Sequence, residues 1–258
     1  MNAPTRRIEI TPVTVAFSLD GKPAVAYEGE TILKAAQRHG VDIPHLCYKD
    51  GLRADGNCRA CVVEVKGERT LAPSCCRTVT AGMEVQATSK RAVKSQNMVL
   101  EMLLSDMPDV GYKWNEHAES QQHGELSTWA AHMGVTVRPE LKALRREQPK
   151  ADISHPAMAV NLDACIQCNR CVRACREEQV NDVIGYAFRG SHSAIVFDLS
   201  DPMGDSTCVA CGECVQACPT GALMPKTQIG SQVVDKKVDS VCPFCGVGCL
   251  LTYNVKGN

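Results

Sequence analysis

Aromatic residues are scarce in this chain and make up only 4% of its 258 residues. The length leaves room for two or three small domains, but several segments have too few large side chains to bury a substantial core of their own. No stretch approaches the ~18–20 apolar residues of a transmembrane helix, so no membrane partner is predicted. The formal net charge of −1 gives no electrostatic reason to expect nucleic acid as a partner.

The N-terminal segment is also predicted to carry no export signal. Arg6 and Arg7 form a twin-arginine pair, but Glu9 and Asp20 interrupt the region where a signal peptide needs about seven or more apolar residues. The sequence therefore predicts a cytoplasmic protein, a compartment in which cysteine side chains stay reduced.

Cysteine, by contrast, is abundant, with 16 residues. Eight of them form two copies of the spacing Cys-x2-Cys-x2-Cys-x3-Cys, at Cys165, Cys168, Cys171 and Cys175 and again at Cys208, Cys211, Cys214 and Cys218. The copies align with an offset of 43 residues, and Val172 and Ala174 of the first match Val215 and Ala217 of the second. The two runs therefore form an internal repeat.

Each run predicts a cubane [4Fe–4S] cluster, because a tight Cys-x2-Cys-x2-Cys loop wraps three thiolates around one cluster. In two-cluster ferredoxins the last cysteine of each run ligates the other run's cluster. This crossed ligation predicts one cluster on Cys165, Cys168, Cys171 and Cys218, and a second on Cys208, Cys211, Cys214 and Cys175. A zinc ribbon has no use for the third and fourth cysteines of a run, and disulfides need an oxidising compartment.

An earlier group has the spacing Cys47-x10-Cys58-x2-Cys61-x13-Cys75. Three cysteines near glycines plus a distant fourth is the form of plant-type [2Fe–2S] ligation, although the first gap is ten residues here rather than four. Gly51 and Gly56 would let the loop backbone approach the bridging sulfides. Zinc is the alternative occupant for four cysteines. Cys76 is surplus, and we interpret it as a small buried apolar residue.

The last cysteines, Cys242, Cys245 and Cys249, lie in the segment Cys-Pro-Phe-Cys-Gly-Val-Gly-Cys. Two glycines between close thiolates fit a further [4Fe–4S] loop with a tight backbone approach. Only three ligands follow the linker in this sequence. A vacant group or a three-iron cluster are alternatives, but we favour a [4Fe–4S] cluster whose fourth ligand lies outside this chain, on a longer polypeptide.

The patterns between these groups predict an α+β chain. A hairpin over 13–27, a helix over 30–39, the cysteine loop and a strand over Val62–Val65 predict a β-grasp [2Fe–2S] domain, assigned to residues 1–88. A helical connecting segment over 89–156 follows. It begins with a long helix over 89–105, with Val93, Val99, Met102 and Leu103 among its apolar positions, and includes a short helix over 125–132. The two-[4Fe–4S] ferredoxin domain covers 157–226, and a polar linker over 226–239 leads to the last cysteine group.

The four cysteine groups, in this order, resemble the N-terminal iron–sulfur region of the α subunit of NAD-dependent, molybdenum- or tungsten-containing formate dehydrogenase. The resemblance covers the whole chain, and its most specific segments are 45–51, 56–61, the paired runs and 242–249. Residues 242–249 look like the opening of a molybdopterin-oxidoreductase domain. The resemblance therefore assigns residues 227–258 to a linker and the start of that domain.

The resemblance implies that electrons from formate oxidation at a metal–pterin site pass along the clusters to a flavin- and NAD-binding partner subunit. It also implies a hetero-oligomer that contains that subunit and a small [2Fe–2S] subunit. The Mo- or W-bis-pterin guanine dinucleotide would be bound by a domain outside these residues. No catalytic residue is therefore predicted within this chain.

The large iron–sulfur subunit of respiratory complex I and the small diaphorase subunit of NAD-reducing hydrogenases are relatives with the same early layout. They usually add a cluster with the spacing His-x3-Cys-x2-Cys-x5-Cys, whereas this chain has no cysteine between Cys76 and Cys165. His117, His123 and His132 lie in that stretch and are predicted to be surface or packing residues. A stand-alone electron-transfer subunit is the alternative function, because a catalytic domain does not fit in 258 residues.

Overall fold

The computed structural model describes residues 12–108, 124–145, 150–228, 235–243, 245–255 and 257. Arg6, Arg7, His117 and His123 lie outside these described residues. Among the helices in the described ranges, none is long and apolar enough to cross a membrane.

The first domain is a five-stranded mixed sheet with one helix packed on it. Its strands are β1 (Thr14–Leu19), β2 (Lys22–Tyr27), β3 (Val62–Val65), β4 (Ala72–Pro73) and β5 (Glu84–Gln86). Their order across the sheet is β2-β1-β5-β3-β4, with β1 antiparallel to β2 and parallel to β5. This arrangement confirms the predicted fold class of the domain.

Helix α1 (Ile32–Arg38) begins after Thr31, whose hydroxyl accepts a hydrogen bond from the Lys34 N–H. The helix was predicted to begin at residue 30, but Glu30 lies before it and forms an ion pair with Arg38. Its buried face consists of Ile32, Leu33, Ala35 and Ala36. Cys61 and Cys75 belong to the same core as this face, so the sheet and helix fix the positions of both cysteines.

Helix α2 (Lys90–Ser105) begins after Ser89, whose Oγ accepts a hydrogen bond from the Ala92 N–H at 3.1 Å. Of the predicted apolar positions, Val99 and Leu103 pack against a buried core, but Met102 is 61% exposed. The fully buried residues are Ala92, Gln96 and Leu100. Gln96 is tolerated in the core because its Nε2 donates to the Val62 carbonyl oxygen at 2.9 Å, which also fixes α2 on β3.

Helix α3 (Glu125–Met133) packs against α2 and also contacts the following module, and a short helix α4 (Pro139–Lys142) lies after it. The Glu125 N–H donates to the Pro219 carbonyl oxygen at 2.7 Å. Gly124 is required at this junction, because its φ is +126° and an added Cβ would lie 2.6 Å from that oxygen. His132 is exposed and lies edge-on to Trp129, as expected for a surface histidine.

The dicluster module is closed by two antiparallel strand pairs. β6 (Met158–Val160) pairs with β9 (Leu223–Pro225), and β7 (Ile184–Ala187) pairs with β8 (Ala194–Phe197). Helix α5 (Arg170–Arg173) follows the first cysteine loop and continues as a π-helical stretch over Ala174–Glu178, while α6 (Glu213–Ala217) follows the second. The two helices pack together, so the two cysteine runs share one core.

The last described element is a hairpin of β10 (Lys236–Val241) and β11 (Leu250–Val255). The predicted polar linker over 226–239 was too long: Lys226–Gln228 forms a 3₁₀ turn, and a strand already begins at Lys236. The segment contains few apolar residues, which hid the strand from the sequence pattern. Every residue of β10 is exposed, because the described part of the chain packs no second layer on it.

Candidate iron–sulfur cluster sites

The loop between α1 and β3 brings Cys47, Cys58 and Cys61 next to Cys75, which follows β4. Cys47, Cys61 and Cys75 are buried, and Cys58 is partly buried. The Cys47 N–H donates to the Cys58 sulfur at 3.4 Å. Hydrogen bonds from the Cys58 and Cys75 thiols hold the pKa of Cys47 far below its usual range, and a hydrogen bond from Cys75 lowers the pKa of Cys61 to about 7. The four sulfurs therefore form one connected group.

This group fits a two-iron cluster better than a single metal ion. A structural zinc site needs four ligands that converge to about 2.3 Å from one point. Across the described residues, no three His, Cys, Asp or Glu side chains converge in a way that could hold one metal ion. The thiols instead form a connected row, in which Cys47 lies beside Cys58 and Cys75, and Cys75 lies beside Cys61. A row of four thiols suits two bridged irons better than a single central ion.

The interpretation of Cys76 as a buried apolar residue was wrong. Cys76 is exposed, and its sulfur lies 3.6 Å from that of Cys75. The prediction assumed an extended segment, but residues 74–76 form a turn that directs both sulfurs toward the same region. An added Cβ on Gly56 would lie 3.0 Å from the Cys76 sulfur, so Gly56 lets the loop pass close to this pair.

Cys165, Cys168, Cys171 and Cys218 line one cavity together with Ile195 and Thr220. Burial raises the pKa of the Cys168 and Cys171 thiols, and the neighbouring sulfurs, including Cys218, add to this effect. Such thiols ionise only beside compensating positive charge, which the irons of a cluster would supply. The donor set therefore fits the predicted first [4Fe–4S] cluster.

The second set is Cys208, Cys211, Cys214 and Cys175. Burial raises the pKa of Cys214 to about 12, and the other three sulfurs of this set are the neighbours that raise it further. Each run thus has the last cysteine of the other run beside it. This geometry supports the crossed ligation, with Cys218 at the first set and Cys175 at the second.

The internal repeat extends to the backbone. The Gln167 N–H donates to the Cys165 sulfur at 3.4 Å, and 43 residues later the Ala210 N–H donates to the Cys208 sulfur at the same distance. Gln167 and Ala210 both have positive φ, at 53° and 58°. These left-handed residues curl the loop so that backbone N–H groups point at sulfur, as N–H bonds to cluster sulfurs require.

The last group lies between β10 and β11. The Cys242 N–H donates to the Cys249 carbonyl oxygen at 2.8 Å, so the loop is closed at its base. Cys242 is partly exposed, and Cys245 and Cys249 are exposed. Gly246 and Gly248 both have positive φ, at 75° and 80°, which suits the tight loop predicted for this segment. Three thiols at an exposed loop are consistent with a site that needs a ligand from elsewhere.

Sequence reasoning missed two arginines inside the first ferredoxin run. Arg170 and Arg173 are each only 2% exposed. Arg170 donates to the Leu46 carbonyl oxygen at 3.0 Å, and Arg173 donates to the Cys47 carbonyl oxygen. Both therefore connect the dicluster module to the loop of the first domain. The available signal was the presence of two arginines in a segment otherwise expected to be buried around a cluster.

Comparison with known proteins assigns the domains. Residues 13–90 match the profile of a 2Fe-2S iron–sulfur cluster binding domain, residues 164–222 that of a 4Fe-4S dicluster domain, and residues 235–258 that of the molybdopterin oxidoreductase Fe4S4 domain. Together these matches make the chain similar to the N-terminal iron–sulfur region of NADH-quinone oxidoreductase G-type and molybdopterin oxidoreductase proteins. The succession of a [2Fe–2S] domain, a dicluster domain and the start of an Fe4S4 domain confirms the predicted fold class.

Individual relatives come from several enzyme types. The chain is 36% identical over 219 residues to the HndD subunit of the NADP-reducing hydrogenase of Solidesulfovibrio fructosivorans, which covers 81% of this chain and 36% of that protein. It is 30% identical to the G 2 subunit of the NADH-quinone oxidoreductase of Rhizobium meliloti, over 94% of this chain and 28% of that protein. A Staphylococcus haemolyticus protein provisionally named a formate dehydrogenase is 23% identical, over 90% of this chain and 27% of that protein. The chain thus spans about a third of the length of these curated relatives.

A solved structure has a similar fold over nearly its whole length. A chain of an NAD+-reducing [NiFe]-hydrogenase, crystallised in the H2-reduced state, superimposes with a TM-score of 0.72 at 28% identity. The match covers 86% of the present chain and 92% of the hydrogenase chain.

Proposed function

We propose that this chain relays single electrons within an NAD(P)-linked oxidoreductase complex. When bound, iron–sulfur clusters supply one-electron redox chemistry, and the protein contributes ligation, spacing and the local dielectric. The observation that carries the proposal is the grouping of twelve cysteines into three complete thiol sets. The loop of the Cys47 set is joined by hydrogen bonds to the first ferredoxin run, Cys165–Cys175. The proposed ligands are Cys47, Cys58, Cys61 and Cys75; Cys165, Cys168, Cys171 and Cys218; and Cys208, Cys211, Cys214 and Cys175.

Each residue set would contribute differently to this relay. The Cys47 group lies in the core of the first domain, where water has little access and the reorganisation that accompanies a charge change is small. The N–H groups of Gln167 and Ala210 would stabilise charge on sulfur at the two [4Fe–4S] sites. The exposed group of Cys242, Cys245 and Cys249 would complete a further site with a ligand from another part of the enzyme.

We further propose that the complex is an NAD-dependent formate dehydrogenase. The match of residues 235–258 to the molybdopterin oxidoreductase profile supports a metal–pterin domain bound next to the Cys242 group. Such an enzyme would bind a Mo- or W-bis-pterin guanine dinucleotide outside these residues, with a flavin- and NAD-binding subunit and a small [2Fe–2S] subunit as partners in a hetero-oligomer. The proposed domain limits, 1–88, 89–156, 157–226 and 227–258, follow the same architecture.

A second candidate is an electron-transfer subunit of an NAD-reducing hydrogenase or a complex I-like enzyme. The superposition with the hydrogenase chain, at a TM-score of 0.72 over 92% of that chain, favours it. The Cys242 group favours formate dehydrogenase, because a simple diaphorase subunit has no use for an additional Fe4S4 loop.

Two measurements test these proposals in turn. The chain reconstituted anaerobically with iron and sulfide should bind about ten iron atoms with matching acid-labile sulfide, or about fourteen if the Cys242 group also fills. Stoichiometric zinc with little sulfide would rule out the relay. The native complex, purified by a tag on this chain, should then reduce NAD+ with formate. Reduction of NAD+ with H2 and not with formate would favour the hydrogenase candidate.

The order of the groups along the chain predicts the direction of the relay. The Cys242 group would lie nearest the pterin domain, the ferredoxin pair next, and the [2Fe–2S] domain nearest the flavin subunit. Deletion of residues 1–88 from the full enzyme should therefore impair NAD+ reduction more than reduction of an artificial dye that accepts electrons near the pterin. Equal loss of both activities in a stable, cluster-loaded enzyme would contradict this order.

A further inference from the structure

Arg173 lies at the junction of the three complete thiol sets. It is two residues from Cys171 of the first [4Fe–4S] set and two residues from Cys175 of the second. Its Nη2 donates to the carbonyl oxygen of Cys47, which belongs to the [2Fe–2S] set.

The guanidinium of Arg173 is held by carbonyl oxygens. It donates to the carbonyl oxygens of Asn169, Arg53 and Cys47, and in the described ranges no carboxylate forms an ion pair with it. The side chain is 2% exposed. An arginine keeps its charge in proteins, and water screens a buried charge only weakly. A full positive charge is therefore held beside the proposed cluster sites.

Arg170 provides an internal contrast on the same helix. It is equally buried and also donates to the neighbouring loop, at the Leu46 carbonyl oxygen. However, Glu125 accepts two hydrogen bonds from its guanidinium, at 2.6 and 2.9 Å. This bidentate pair is neutral overall, so Arg170 contributes docking without a net charge.

We propose that Arg173 is a positioning and potential-setting residue for electron exchange between the [2Fe–2S] domain and the dicluster module. This inference rests on the proposed relay function. The contacts with the Arg53 and Cys47 carbonyl oxygens fix the Cys47 loop against the first ferredoxin run, which sets the distance between the cluster sites. The positive charge of Arg173 has a separate effect. Each electron that a neighbouring cluster site gains adds one negative charge and no proton, and the guanidinium stabilises this reduced state.

The docking function has further support around Arg173. Asn57 of the first-domain loop donates to the Gln167 carbonyl oxygen at 2.9 Å, and Lys49 donates to the Gln216 carbonyl oxygen at 2.6 Å. Arg53 forms an ion pair with Glu177 at 3.2 Å. These contacts lie at the exposed margin, whereas the arginines occupy the buried centre. The interface should therefore stay assembled when only the charge of Arg173 is removed.

The test uses the full cluster-loaded chain and redox titrations monitored by EPR, with dithionite as the electron donor. Arg173→Gln should shift the [2Fe–2S] midpoint to lower potential by about 59 mV, a tenfold change in the ratio of reduced to oxidised cluster. The matched control is the double variant Arg170→Gln/Glu125→Gln, which is equally central but leaves the net charge unchanged. It should keep the wild-type midpoint. An unshifted midpoint in Arg173→Gln, or an equal shift in the control, would overturn the proposal.

The variant Arg173→Lys keeps the positive charge but weakens the docking contacts. It tests the effect of the charge even if Arg173→Gln does not retain its clusters. It should keep a wild-type midpoint because the charge remains, while hydrogen–deuterium exchange of residues 45–61 becomes faster because an ammonium group cannot reproduce the planar fork. A lowered midpoint in this variant would overturn the electrostatic function. Iron and sulfide analysis of the wild-type chain comes first, and absence of clusters there would refute the proposed relay. If the clusters are present but the Arg173 variants keep the wild-type midpoint potential, only the proposed function of Arg173 is refuted.

Discussion

The sulfur atoms of Cys75 and Cys76 lie 3.6 Å apart, because the two residues share a turn that directs both side chains toward the Cys47 loop. Cys75 is buried within the thiol group and Cys76 is exposed at its edge. The neighbour is therefore close enough to take over ligation after a small movement of the turn.

This proximity predicts a graded response to substitution. Cys76→Ser should leave the [2Fe–2S] EPR signal intact, because four ligands remain. Cys75→Ser should shift the signal and lower its intensity as Cys76 replaces the missing thiolate, and the double variant should abolish it. Identical spectra from the single Cys75 variant and the double variant would show that Cys76 cannot substitute.

Crossed ligation gives a second prediction. Cys175 is among the sulfurs that raise the pKa of Cys214, and Cys218 is among those that raise the pKa of Cys168. Cys175→Ser should therefore perturb the same [4Fe–4S] EPR signal as Cys211→Ala, and Cys218→Ser the same signal as Cys168→Ala. If the Cys175 variant instead matches Cys168→Ala, each run holds its own cluster.

The junction at Gly124 gives a prediction about stability. Gly124→Ala places a methyl group 2.6 Å from the Pro219 carbonyl oxygen at a φ of +126°, so α3 must move away from the dicluster module. We expect a loss of roughly 1–3 kcal/mol in the free energy of unfolding, measured by urea titration under anaerobic conditions.

The matched control is Gly134→Ala, at the end of the same helix. Gly134 has a φ of +64° but no atom within 4 Å of an added Cβ, so only the backbone conformation is penalised, by about 1 kcal/mol. Equal effects of the two substitutions would show that the contact with Pro219 does not constrain the helix.

The ion pair of Glu30 and Arg38 predicts a pH-dependent stability. The Arg38 guanidinium lies 2.7 Å from the Glu30 carboxylate, and this hydrogen bond holds the pKa of Glu30 below its usual value of 4.5. A depressed folded-state pKa stabilises the fold above the unfolded-state pKa, and this contribution is lost as the pH falls through the folded-state pKa.

Glu30→Gln should therefore lower the free energy of unfolding at pH 7, by about 0.5–1 kcal/mol because Arg38 is partly exposed to solvent. The difference from the parent chain should narrow as the pH falls from 7 to below 4.5. Urea titrations across this range measure it, and a difference that does not change with pH would contradict the assignment to charge.

Much of the first domain could be predicted from local sequence signals. The strand over Val62–Val65 was predicted with the observed bounds, and Ser89 marked the beginning of α2. β5 was missed because only three residues form it and its strand conformation comes from pairing with β1 and β3. The apolar face of α2 was predicted only in part: Val99 and Leu103 pack against the core, but Gln96 is also held there by the Val62 carbonyl, a partner that no periodicity reveals.

The candidate cluster sites could likewise be predicted only in part. Spacing alone grouped the cysteines, because ligands of one cluster lie within a few residues of each other in a tight loop. Spacing could not reveal that Arg170 and Arg173 join the two domains, since the first-domain carbonyl groups that accept their hydrogen bonds lie more than a hundred residues away in the sequence. Nor could it indicate the exposure of Cys76, which depends on a turn rather than on residue type.

The two cysteine runs share the same backbone geometry but differ in solvent exposure. Cys168 is buried beneath neighbouring segments, whereas its counterpart Cys211 is exposed. We therefore expect dioxygen and peroxide to reach the second [4Fe–4S] set of this chain before the first, since accessible thiolates oxidise most readily. Damage in air should begin at the Cys208–Cys214 loop. Two cysteine runs that are alike in spacing therefore differ in their exposure to oxidants.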